Sequence, residues 1–161
     1  MKRTDLEHIK NSIKIKKRCE NMENRKLKEL YDYDMITEEG GIEIANEWFN
    51  VLMEKNVYDL TLADICRMLR QKIFSVVAID RAIDILNEDL FAGDFYEGQL
   101  LVNLCNAKEK YLSKRYDDVE PLLDKAIRLA LSNNWQDDEV KKDYIESAVG
   151  LKEKIRNRVG V

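Results

Sequence analysis

The residues of this chain that could do chemistry are few and scattered. There is one histidine, His8, and three cysteines, Cys19, Cys66 and Cys105, with no CxxC pair among them. A nucleophile–base pair or a facial metal triad needs a second histidine or a close thiol group, so neither is readily built. No GxGxxG, GxxxxGK[ST], HExxH or calcium-loop pattern occurs. Paired carboxylates such as Asp117/Asp118 are common, but they stand where helix starts belong. Cys66 and Cys105 lie among apolar residues and read as small buried hydrophobes. The expectation is therefore a protein with no catalytic residue, no bound metal and no cofactor.

What remains is charge and shape. The formal net charge is -4, with 36% charged residues. It is unevenly distributed: residues 1–30 carry +5, 31–60 carry -7, 61–100 carry -3 and 101–161 carry +1. A basic head with Lys14, Lys16, Lys17 and Arg18 thus precedes an acidic middle. No aromatic residues interleave that basic cluster, which argues against direct nucleic-acid binding. The acidic block Asp32, Asp34, Glu38, Glu39, Glu43 and Glu47 is either a solvated face or a docking surface for a basic partner.

The elements that must position these groups are helical. One proline and six glycines in 161 residues leave long unbroken stretches, and length predicts one domain over 1–161. The fold class expected is all-α: a compact domain of about six to seven helices ending in a C-terminal αα-hairpin. Thr37 with Glu38 and Glu39 opens a helix carrying Ile42, Ala45, Phe49 and Leu52 at helical spacing. Thr61 and Asp64 fit a capping box before Leu62, Ile65, Cys66 and Leu69. Residues 73–79 are β-branched, yet lack a partner strand, and read as a turn entering a buried helix. Its Asp80, Asp84, Glu88 and Asp89 are assigned to the solvent side. Residues 90–99 form a loop with Gly93 and Gly98. Leu100, Leu104, Ala107 and Tyr111 then suggest one helix, and Pro121 is placed near the first turn of the next. That next helix has the best stripe, Val119, Leu122, Leu123, Ala126, Ile127 and Ala130. Asp137 and Asp138 open the last. The start MKRTDLEHIK has no apolar core of a signal peptide and no run is long enough to span a membrane, so a reducing cytoplasm is expected.

Residues 59–104 hold the most distinctive pattern. Leu62, Asp64, Cys66, Arg67, Arg70 and Gln71 are followed by Ala92, Gly93, Asp94, Tyr96, Glu97, Gly98, Leu100 and Leu101. This arrangement resembles immunity proteins of bacterial contact-dependent growth inhibition (CDI) systems over about a quarter of the chain. The resemblance implies a cytoplasmic protein that binds and neutralises the cognate C-terminal toxin domain of a CDI effector, commonly a basic nuclease acting on RNA. An acidic inhibitor would compete for such a surface and be steered onto it. Toxin contacts are expected from Asp32, Asp34, Glu38, Glu39, Glu43, Glu47, Asp94, Tyr96 and Glu97. Asp64, Arg67, Arg70, Gln71, Gly93 and Gly98 are read as a structural motif, the arginines and Gln71 tying the loop through Asp94 and Glu97. Phe95 and Tyr96 are either core-facing anchors or interface residues.

Two other readings compete. Residues 60–86 have the outline of a helix-turn-helix, although Asp80, Asp84, Glu88 and Asp89 would meet phosphate with like charge. The C-terminal hairpin, with Tyr116, Ala126 and Ala130, suggests a generic helical adaptor, but no second copy at a 34-residue period accompanies it.

Overall fold

The computed structural model describes residues 25–31 and 47–159. The acidic positions 32–46 and the basic head through residue 24 lie outside it, as do His8 and Cys19. The described residues are all-α and divide into two compact units, one holding 25–31 with 47–60 and the other beginning at Thr61.

In the first unit a short helix α1 (Leu27–Leu30) packs against α2 (Glu47–Met53). The segment after α2 returns beside the start of α1. The Leu27 N–H donates to the Lys55 carbonyl at 3.0 Å and the Val57 N–H to the Arg25 carbonyl at 3.1 Å. Leu27, Leu52 and Val57 are buried. On the outside Glu54 accepts from Lys28 at 2.7 Å and from Lys26 at 3.1 Å. The two lysines, Lys28 foremost, hold the Glu54 carboxyl below its ordinary pKa.

The second unit starts at the expected capping box. The Asp64 N–H donates to Thr61 Oγ1 at 3.1 Å, and the Thr61 N–H to Asp64 Oδ2 at 3.0 Å. Two otherwise orphaned donors are thereby satisfied, and α3 (Leu62–Gln71) follows. A three-residue turn, in which Lys72 and Phe74 take left-handed backbone conformations, leads into α4 (Ser75–Glu88). The β-branched run is thus a turn and a helix start, with Ile73, Phe74, Val77 and Ile79 buried. These residues supply apolar mass, and the absence of a partner strand leaves helix as the way to satisfy their backbone.

After α4 come the loop 89–98 and α5 (Gln99–Cys105), a short helix buried from Gln99 to Leu104. It packs on α3, α4 and the last helix. The single helix expected over 100–111 is broken here. The Asn106 side-chain amide donates to the Val102 carbonyl at 2.9 Å, a local bond that competes with helix continuation. A separate α6 (Glu109–Leu112) and a 3-10 turn (Ser113–Arg115) follow.

Helix α7 (Tyr116–Ser132) starts earlier than expected, so Asp117 and Asp118 lie inside its first turn and Pro121 lies in the second. The missing proline N–H leaves the carbonyl of exposed Asp117 to solvent. Asn133 ends the helix. Asp137 then accepts from the N–H groups of Glu139 and Val140, opening α8 (Asp138–Val159) as an N-cap. Helices α7 and α8 form the expected C-terminal pair, burying Val119, Leu123, Ala126 and Ala130 with Tyr144, Ala148, Leu151 and Ile155.

One carboxylate contradicts the sequence reading. Asp80 was assigned to solvent, but it is buried on α4 and paired with Arg115, whose Nε also donates to Asp118 at 2.9 Å. Helix α4 is covered by α3, α5, α6 and α7, and of its acidic residues Asp80 is buried and Asp84 half-buried, whereas Glu88 and Asp89 at its end are exposed as expected.

Candidate interaction surface

The loop 89–98 is the feature around which a site can be built. Its backbone is closed on itself: Ala92 N–H donates to Asp89 O, Gly98 N–H to Phe91 O at 2.8 Å, and Leu100 N–H to Ala92 O at 3.0 Å. Asp89 Oδ1 takes the Phe91 N–H as well. The side chain of Gln99, 1% exposed, accepts from both the Asp94 and Phe95 N–H groups, at 2.9 and 2.8 Å. A buried amide thus fixes the loop at its outermost point.

Both glycines are required by close approach. A Cβ at Gly93 would overlap the Tyr96 carbonyl. At Gly98, where φ is +82°, it would overlap the Tyr144 ring. Beneath the loop Phe91, Trp135 and Tyr144 form an aromatic cluster with ring centroids 5.1–5.5 Å apart. The Tyr144 hydroxyl donates to the Leu90 carbonyl at 2.8 Å and the Trp135 indole to the Ala130 carbonyl at 2.9 Å. Burial raises the Tyr144 pKa strongly. These contacts attach the loop to α8 and to the α7–α8 turn, where Glu97 also accepts from Asn133 at 2.9 Å.

The anchoring rings are therefore Phe91, Trp135 and Tyr144, while Phe95 and Tyr96 point outward. Phe95 is 76% exposed and Tyr96 37%. The Arg70 guanidinium on α3 lies 5.6 Å from the centre of the Phe95 ring. On the other side Tyr96 joins Glu139, Val140, Lys142, Asp143 and Glu146 of α8 in lining an open groove of about 510 Å³. Glu139, Asp143 and Glu146 fall at i, i+4 and i+7, so one face of α8 presents all three carboxylates. No ion pair joins them among the described residues. Burial, and next the Asp143 carboxylate, push the Tyr96 hydroxyl pKa up.

The residues singled out in the sequence separate as follows. Asp94, Tyr96 and Glu97 lie together on the exposed loop, whereas Glu47 is an exposed residue in the first turn of α2, in the other unit. Asp32, Asp34, Glu38, Glu39 and Glu43 lie outside the described residues. Asp64 is the helix cap, Gly93 and Gly98 are the tight positions, and Gln71 is the exposed last residue of α3. Arg67 is half-buried on α3. Arg70 reaches the loop through the Phe95 ring, and burial raises the pKa of the neighbouring Cys66 thiol. Sequence reasoning missed Gln99 and the α8 carboxylates, and left Phe95 open between anchor and exposed ring, which the structure decides as exposed. A polar Gln between Gly98 and Leu100 was the available signal for the first. The α8 face could have been found by projecting 139, 143 and 146 on a helix.

The helix-turn-helix outline exists in α3 and α4, but α4 is too enclosed by its neighbours to enter a groove of DNA. Among the described residues, no group of three His, Cys, Asp or Glu side chains is placed to hold a metal ion, and no helix is long and apolar enough to cross a membrane. No curated protein and no solved structure matches the chain. The family model of CDI immunity proteins matches residues 29–122, more than half of the sequence, and takes in the capped α3, α4, the closed loop and α5. On that match the chain belongs to the CDI immunity proteins, the family that its helix-and-loop pattern resembles.

Proposed function

We propose that this immunity protein neutralises its cognate CDI toxin domain by stoichiometric binding through an acidic surface, and that the toxin is a basic nuclease acting on RNA. The observation that supports this best is the groove beside Tyr96, where Glu139, Asp143 and Glu146 outnumber the one lining cation, Lys142, and form no ion pair among the described residues. A nuclease must carry a positive surface to hold a polyanion. An inhibitor with a net negative groove is steered to that surface and excludes the substrate from it. Asp94 and Glu97 extend the same charge onto the loop, and Asp32, Asp34, Glu38, Glu39, Glu43 and Glu47 are proposed as further toxin contacts in their own right. The protein acts as a binding partner in the cytoplasm of the producing cell and not as an enzyme.

Co-expression with the toxin domain encoded beside it is the decisive test. Growth should be restored, and the purified pair should bind one to one with a Kd of about 1 nM or below. The association rate should fall steeply as salt is raised. Persistent killing in the presence of folded protein would refute the reading.

A further inference from the structure

We infer that Phe95 is the aromatic anchor of the inhibitor: its ring enters an apolar pocket of the toxin domain, and the α8 carboxylates meet the basic rim of that pocket. This inference rests on the inhibitor reading above and names the surface that carries it. Three observations converge on it. First, the ring is 76% exposed although the adjoining chain is closely built, so the exposure does not come from a loose loop. Second, the buried Gln99 amide bonds the N–H of Phe95 and of its neighbour Asp94. A buried polar side chain therefore fixes the backbone where the ring leaves the surface. A ring held in this way loses little further conformational freedom on binding, which is the usual property of an interface anchor.

Third, the surroundings select the partner's chemistry. Arg70 covers Phe95 from the α3 side at 5.6 Å and supports the ring by a cation–π contact. On the α8 side stand Tyr96, Asp143 and Glu146, with Glu139 further along the same face and Lys142 as the single cation of the groove, so the lining is net negative. An aromatic centre flanked by this net negative charge fits an apolar pocket bordered by lysine or arginine. That is the surface a basic toxin domain offers. A second copy of this chain would place like carboxylates against one another.

The test uses the full chain and the toxin domain encoded with it, inactivated by substitution so that both can be purified. Wild-type protein should bind tightly. Phe95→Ala should weaken binding by about 30-fold or more, mainly through faster dissociation, because hot-spot truncations act on residence time. Phe95→Trp should stay within about fivefold of wild type, since it keeps a rigid aromatic anchor. The double variant Asp143→Lys, Glu146→Lys should instead slow association and flatten its salt dependence. All three positions involved are on the surface, so the melting temperature reports that each variant is folded. Tight binding by wild type with Phe95→Ala within about threefold of it would overturn the anchor and leave the inhibitor reading standing. If wild type neither binds nor protects, the inhibitor reading fails and the anchor fails with it. If Phe95→Ala leaves toxin binding unchanged but abolishes a dimer seen by light scattering, the patch serves a second copy and the inference is wrong.

Discussion

The two halves of α8 use charge in opposite ways. In the C-terminal half Lys152 pairs with Asp124 on α7, and Lys154 pairs with Glu109 on α6 at 3.1 Å. Arg158 donates to the Ser113 carbonyl and lies 5.3 Å from the Tyr116 ring centre. Charge there attaches the helix to its own fold. The N-terminal half is attached by packing, through Tyr144 and the neighbouring Trp135. Its carboxylates face an open groove instead. The helix dipole accounts for Glu139 in the first turn, but its effect is spent by Asp143 and Glu146. The difference teaches that fastening a helix by aromatic contacts leaves its charged face available to another molecule.

The largest effect is expected away from α8, at the buried ion pair that joins the start of α7 to α4 and sets the upper limit for fastening by charge. Arg115→Ala should destabilise the protein by about 3 kcal/mol, because it leaves Asp80, whose side chain is 11% exposed, without its cation. Urea unfolding followed by circular dichroism would measure it. Damage to the packed side should cost less. Tyr144→Phe keeps the ring and removes one hydrogen bond to a buried carbonyl, a loss of about 1 to 2 kcal/mol in the same assay. The partly exposed pairs should matter least to folding: Lys154→Gln is expected to cost no more than about 0.5 kcal/mol.

The comparison is sharpened by neutralising the open face. Asp143→Asn with Glu146→Gln should leave stability within about 0.5 kcal/mol of wild type while slowing toxin association. A marked loss of stability would mean that those carboxylates hold the fold after all. The smallest effect belongs to Glu54 in the first unit. Its folded pKa is lowered by Lys28 and Lys26, so its contribution is present above the ordinary value of 4.5 and disappears as pH falls through the lowered value. Glu54→Gln should therefore remove a small contribution at neutral pH, leave stability unchanged below the lowered pKa, and so slightly flatten the acid limb of a stability–pH curve.

Much of the scaffold was legible because short-range rules decide it. Thr61 with Asp64, Asp137 before α8 and the Val119–Ala130 stripe each carry their own signal, and each fits the structure. The errors arose where a distant segment intervenes. Asp80 looks like a solvent residue on α4 until Arg115 arrives from the start of α7. The break after Cys105 follows from one Asn106 hydrogen bond that periodicity does not encode. The loop was recognised from Gly93 and Gly98, yet its outward residues could not be separated from its anchors. That choice depends on Trp135 and Tyr144, some forty to fifty residues away in sequence, occupying the space beneath Phe91. The groove was missed for a similar reason, since its walls come from a loop and a helix that meet only after folding.

The Gln99 amide also bears on how the loop exchanges its protons with solvent. Backbone amides in an exposed turn ordinarily exchange with deuterium almost as fast as in an unfolded peptide. Those of Asp94 and Phe95 donate to a side chain that solvent hardly reaches, so they should exchange only when the base of the loop opens. The most exposed ring among the described residues therefore sits on two slowly exchanging amides, and Gln99→Ala should convert them to fast ones while leaving the helical amides of α7 slow.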